Sequence, residues 1–108
     1  MVFHNVYFTL NDNSVEAQRK LREACTKYLL DHPGILFFSC GARALDHVRH
    51  VNDLAFDVAL HIVFTDKAAH DRYQTHPLHI QFVEESKPNW KQARVFDSTV
   101  EQVTSRGI

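Results

Sequence analysis

Apolar and polar residues alternate from the start of the chain. Over Val2-Phe3-His4-Asn5-Val6-Tyr7-Phe8-Thr9-Leu10, one set of alternate positions is Val2, His4, Val6, Phe8 and Leu10, and the other is Phe3, Asn5, Tyr7 and Thr9. A period of two belongs to a strand, so this segment reads as a strand whose apolar face is broken only by His4. After the turn Asn11-Asp12-Asn13 the period lengthens. Leu21, Ala24, Cys25, Tyr28 and Leu29 recur at helical spacing, with Arg19, Lys20, Arg22 and Glu23 on the watered side. A capping box formed by Asn13 and Glu16 is expected to start this helix. It runs to about Leu30, where His32-Pro33-Gly34 stops it.

Ile35 to Ser39 is apolar almost throughout and predicts a second strand, with Gly41 marking a bulge where it frays. Phe37 and Phe38 are consecutive, so one faces the helices and the other faces away. The polar stretch Ala42 to Asp53 reads as a loop. Leu54 to Phe64 predicts a third strand, with Phe56, Val58, Leu60, Ile62 and Phe64 on a bulky face and Asp57, Ala59, His61 and Val63 on a smaller, mixed one. Thr65-Asp66 caps the next helix. Pro77 cannot lie inside a helix but fits the first position of one. The spacing therefore predicts one helix ending near His76 and a short second helix opening at Pro77. Lys87-Pro88-Asn89 is a turn, and a last strand runs from Trp90 or Lys91 to about Val100. Residues 1–100 form the expected domain, and 101–108, with few apolar residues, an expected loose tail.

The order strand, helix, strand, strand, helix, strand is the plan of an α+β, ferredoxin-like βαββαβ domain: a four-stranded antiparallel sheet with helices on one face. That plan leaves the second sheet face bare. A half-apolar sheet face of this kind is most simply covered by a second copy about a two-fold axis, so a homodimer is expected.

Composition removes several functions. The chain has 108 residues, 44% of them hydrophobic, and a formal net charge of -1, which suits one core and gives no basic face for nucleic acid. No apolar run approaches the roughly 20 residues of a membrane span. The start of the chain lacks the basic and apolar regions of a signal peptide, and a cytoplasmic protein is expected. Cys25 and Cys40 form no ligand or redox motif, Cys25 packing as a small hydrophobe on the first helix. Three glycines in the whole chain do not make a phosphate-binding loop. Trp90, at a turn without basic neighbours, reads as a lid on the core.

Candidate chemistry gathers at the Pro77 break. His79, Phe82 and Val83 stand at i, i+3 and i+4 and share one inward face of the short helix. Tyr73 ends the helix before it. An imidazole can take and return a proton near neutral pH, and a protonated phenol can donate to a developing oxyanion. Together they suit abstraction of a proton next to a carbonyl, with no metal and no cofactor. His76 and His79 also form a His-x-x-His pair, but Pro77 breaks the register between them and no acidic or thiol ligand is near in sequence, so metal binding is not expected. His61 reads as an interface or hydrogen-bonded core histidine. His32, His47, His50 and His70 lie at turns or polar positions and read as solvated.

The run Tyr73-x-x-His76-Pro77-x-His79-x-x-Phe82-Val83, together with an opening strand that carries His4 and a long third strand, resembles the stress-responsive A/B barrel (Dabb) family over roughly Val2 to Val100. The resemblance implies a homodimer in which two ferredoxin-like sheets pack into a dimeric α+β barrel. Some plant members with a similar motif are polyketide cyclases in which the tyrosine and the second histidine do acid–base work. By that likeness Tyr73 and His79 are the catalytic pair. His4, Val6, Phe8, Val58, Leu60, His76 and Phe82 are the substrate-binding wall, for a small hydrophobic or polyketide-like ligand. The third strand departs from the pattern: Asp57-Val58 stands where many members have Asp-His, which makes the pocket more apolar. Cofactor-free monooxygenases and haem-degrading proteins share the dimeric barrel, and nothing in this chain singles them out. Two readings stay open: an acid–base site of cyclase or lyase type, and a non-catalytic dimeric domain whose His/Tyr motif only packs the core.

Overall fold

Strand β1 (Val2–Leu10) is paired on both sides, so its alternation decides the layering of the chain. In the computed structural model, which describes residues 1–104, it is followed by α1 (Val15–Leu29), β2 (Ile35–Ala42), β3 (Val58–Phe64), α2 (Lys67–Thr75), α3 (Pro77–Ser86), a single 3-10 turn (Lys87–Asn89) and β4 (Trp90–Thr99). The strands form one antiparallel sheet in the order β2-β3-β1-β4. This is the ferredoxin-like α+β arrangement. Residues 101–104 carry no helix or strand, and the rest of the expected tail, 105–108, lies outside the described residues.

Register explains the core. His4, Val6 and Phe8 stand opposite Ile62, Leu60 and Val58, and all six side chains are buried under the helices. From above, α1 lowers Leu21, Cys25, Tyr28 and Leu29, α2 lowers Ala69 and Tyr73, and α3 lowers Phe82. Phe38 packs against this core while Phe37 is 50% exposed on the far side. That far face also carries Phe3, Tyr7, His61 and Phe96, Phe96 being 54% exposed. Tyr7 is its centre, edge-on to Phe56, His61 and Phe96. Burial holds His61 below the ordinary imidazole range, and its Nδ1 donates to Asn5 Oδ1 at 2.8 Å. Among the described residues no helix is long and apolar enough to cross a membrane.

Several expectations are corrected by hydrogen bonding. The first helix is capped by Ser14, whose Oγ accepts from Ala17 N, and not by Asn13. Asp12 Oδ1 holds Ser14 N at 3.0 Å and so sets Ser14 at the cap, while Asn13 turns its amide towards Asp57. The third strand begins at Val58, four residues later than the alternation suggests. Asp57 is buried there, its Oδ2 accepting from Leu10 N at 2.8 Å and its N–H donating to Phe8 O. A bulky apolar run continues into this anchor, but its backbone is committed to β1 and not to the ladder with β2. Phe56 accordingly leaves the helix side and meets Tyr7 of the far face edge-on, ring centroids 5.0 Å apart. Gly41 pairs with Ala59 in regular register, and the irregularity falls instead between Ile35 and Phe37.

Gly34 has a different task. Its φ of +88° is left-handed, and a Cβ there would stand 2.5 Å from the Cβ of Ala69. The stop after α1 is therefore a left-handed turn pressed against α2, a position that only glycine fills without strain. Trp90 lies over Phe8 and Phe82, as a lid on the core should, and its Nε1 is buried with no hydrogen-bond partner among the described residues.

Candidate functional site

The break at Pro77 is held by one side chain. His76 sits between α2 and α3 in extended conformation, as a residue before proline must. Its N–H donates to Tyr73 O, ending α2, while its Nδ1 accepts from Leu78 N at 3.0 Å and its carbonyl accepts from Ile80 N, starting α3. The imidazole thus replaces the Ser, Thr, Asp or Asn that usually caps a helix. Because the two helices meet at this corner, Tyr73 on one and His79 on the other come together, ring centroids 4.7 Å apart and edge-on.

Tyr73 is only 2% exposed, and four imidazoles surround it. His4 approaches from β1 at 5.8 Å, His32 from the α1–β2 connection at 5.1 Å, His70 from its own helix at 6.4 Å, and His79 from α3. His76 extends the group, 4.7 Å from His32. Phe64 closes it from below, 5.0 Å from Tyr73 and stacked on His70. Of the residues expected to line a pocket, Val6, Phe8, Val58, Leu60 and Phe82 are all core residues. Phe82 stands further along, against Phe8 and Trp90. The geometry therefore groups His4, Tyr73, His76 and His79, and leaves Phe82 nearer the Trp90 end.

His32 and His70 are corrections: both were expected in solvent, and both are only 7% exposed. His32 is four residues beyond Tyr28, so it continues the Leu21, Cys25, Tyr28 stripe past the end of α1. Its Nε2 donates to Tyr28 O at 2.8 Å, closing the helix. His70 shares the inner face of α2 with Ala69 and Tyr73. Continuing each apolar stripe through the histidine at its end would have found both. His47 and His50 are exposed, as expected.

Electrostatics sort the groups. Burial first, and then the neighbouring His4 and His32, hold His79 below the ordinary imidazole range. Burial first, and then His4, do the same to His70. Burial pushes the phenol of Tyr73 well above its ordinary range, and the buried Cys25 thiol likewise. Near neutral pH His79 is thus an unprotonated base and Tyr73 a protonated donor. Among the described residues the carboxylate in the group is Asp97 of β4, directly opposite His4 in the ladder. His4 Nδ1 lies 2.6 Å from Asp97 Oδ1, so the proton between them belongs to the ring nitrogen facing an acceptor. No sequence spacing points to this pair.

Open grooves lie on both sides of the sheet. A groove of about 450 Å³ runs between α1 and α3, lined by Leu10, Leu21, Glu85 and Trp90 among others. Another of about 450 Å³ lies on the far face of the sheet beside Tyr7, Phe56, Arg94 and Phe96. Tyr73 and His79 line neither.

The family model described as the Stress responsive A/B Barrel Domain (Dabb) matches residues 2–100. Among solved structures, a dabb family protein with a ferredoxin-like fold from Mesorhizobium loti is 24% identical, with a TM-score of 0.77 over 94% of this chain and 97% of that one. A dimeric ferredoxin-like protein of unknown function from Thermobifida fusca is 18% identical, with a TM-score of 0.74 over 92% and 90%. A hydroxynitrile lyase from Passiflora edulis is 17% identical, with a TM-score of 0.75 over 96% of each chain. These likenesses speak to the fold. No curated protein matches the sequence.

Proposed function

The chain belongs to the stress responsive A/B barrel domain family, and from that premise we propose that it is a homodimeric protein with an acid–base site for a small carbonyl compound, Tyr73 and His79 being the reacting pair. The observation that carries this reading is the edge-on approach of the two rings at 4.7 Å under the Pro77 corner. In the proposed step His79 takes a proton from a carbon next to a carbonyl, and the C–H electron pair moves onto the oxygen, where the Tyr73 hydroxyl donates to it. The enolate carbon then attacks a second carbonyl of the same chain, forming a carbon–carbon bond, and the new alkoxide recovers the proton from His79. A base so positioned contributes roughly 10²–10⁴-fold, which suits the acidic carbon between two carbonyls of a polyketide-like substrate. The directions in which burial moves His79 and Tyr73 put each in the form this step needs.

Dimerisation is supported by the exposed aromatic far face, where Phe3, Phe37 and Phe96 stand open to solvent. The dimeric state of the Thermobifida fusca neighbour supports it as well. A cytoplasmic location is supported by two free thiols, Cys25 and Cys40. The second reading, a non-catalytic dimeric domain, is favoured by the packing of Tyr73 and by grooves that open away from it.

Poly-β-keto thioesters incubated with wild-type protein, His79→Ala and Tyr73→Phe separate the two. Cyclised product from the wild type, reduced by roughly a hundredfold or more in His79→Ala, supports the acid–base site. Equal rates for all three proteins at unchanged folding leave the packing role.

A further inference from the structure

We propose that His4, His70 and Asp97 form a binding site for a first-row transition-metal dication of the Zn²⁺ type. The site goes beyond the acid–base reading and shares only His4 with its pocket. Three elements distant in sequence deliver the donors: β1, α2 and β4. One ligand atom from each of His4, His70 and Asp97 lies within 4.8 Å of the other two, and the two histidines are buried. His4 and Asp97 are neighbours across the β1–β4 ladder, so their backbones are fixed by strand pairing. His70 is fixed by its stacking on Phe64. Ligands carried on rigid elements are what a specific metal site requires.

Each donor can present a lone pair to a metal. His70 Nε2 accepts from the Gln74 amide at 2.9 Å, so it carries no proton. Asp97 Oδ1 is a carboxylate oxygen 4.0 Å from that nitrogen. His4 Nδ1 holds a proton facing Asp97, and on metal binding the neutral ring passes to its Nε2–H tautomer, which frees the Nδ1 lone pair with no net change in the number of ring protons. Bonds of about 2.0–2.1 Å put tetrahedral ligand atoms roughly 3.3 Å apart. The spacings of 2.6 Å and 4.0 Å bracket this value, and side-chain rotation evens them out while Gln74 swings off His70. A set of two imidazoles and one carboxylate suits Zn²⁺ or Fe²⁺ and not Mg²⁺ or Ca²⁺. Asp97 is 43% exposed at its side chain, so water can reach a remaining coordination position. What separates this group from an ordinary surface carboxylate cluster is the pair of buried, nearly unhydrated imidazoles facing it.

Untagged protein stripped with EDTA is titrated with Zn²⁺ by calorimetry, and its melting temperature is followed with and without the metal. The expected result is saturation near one metal per chain, a raised melting temperature, and visible absorption when Co²⁺ replaces Zn²⁺. His70→Asn and Asp97→Asn are expected to weaken binding by at least about tenfold, while His47→Asn, on the exposed loop, leaves it unchanged. Absence of saturable binding in the wild type overturns the proposal, as does wild-type affinity in His70→Asn and Asp97→Asn. If His70→Asn does not fold, Asp97→Asn decides alone, because its half-exposed side chain can change without opening the core. None of these readouts uses turnover, so failure of the acid–base reading leaves them interpretable.

Discussion

His4 and Asp97 are 93 residues apart in sequence and 2.6 Å apart in space, imidazole Nδ1 against carboxylate Oδ1. The pair joins the centre of the sheet to its β4 edge, beneath the helix that carries Tyr73. An Nδ1–H tautomer of His4 follows for the metal-free protein, visible in long-range ¹H–¹⁵N spectra. Asp97→Ala is expected to cost about 1 kcal/mol, low for a hydrogen bond to a charged group because the carboxylate is partly exposed. Urea denaturation near neutral pH measures it.

Gly34→Ala is the substitution expected to damage the fold most for one added carbon. The new Cβ meets Ala69 at 2.5 Å, and the backbone there has a φ of +88°. Left-handed strain and overpacking together are expected to cost roughly 2–4 kcal/mol. Thermal melts check it. A fall in melting temperature no larger than that of an ordinary surface substitution contradicts the account.

His76→Ala removes the side-chain cap of α3. A loss of about 1 kcal/mol is expected, with most of it restored in His76→Asn, since asparagine is a strong capping residue. Failure of asparagine to rescue would show that the ring's contact with His32, and not its capping, is what matters.

Acid should destabilise the protein through His79. Its folded-state pKa lies below the value of about 6.5 for a histidine in an unfolded chain. In the window between the two, the unfolded chain binds a proton that the folded chain refuses. The contribution is therefore complete above about pH 6.5 and is lost as pH falls through the folded-state value. The groups bearing on it are His4 from β1, His32 from the α1–β2 connection and His70 from α2, with the Gln74 backbone opposing them. Melting temperatures recorded in EDTA from about pH 8 to about pH 5 should fall, and fall less in His79→Gln. A flat profile for the wild type contradicts this.

Much of the architecture was legible in one dimension. The alternation of β1, the stripe of α1 and the proline at 77 each express a local rule, and the observed elements follow them. The misreadings share a cause. Leu54 to Asp57 alternates like a strand, yet Asp57 gives its hydrogen bonds to β1. His32 and His70 look polar in sequence, yet each extends an apolar stripe into the cluster.

Sequence by itself determined the order of elements, the helix break and the inward turn of Tyr73 and His79, because periodicity and the proline ring act over a few residues. The tertiary structure alone decided that four imidazoles gather around one phenol and that Asp97 answers His4. Those contacts depend on strand register and on where two helices cross the sheet, and register joins residues that no local spacing relates.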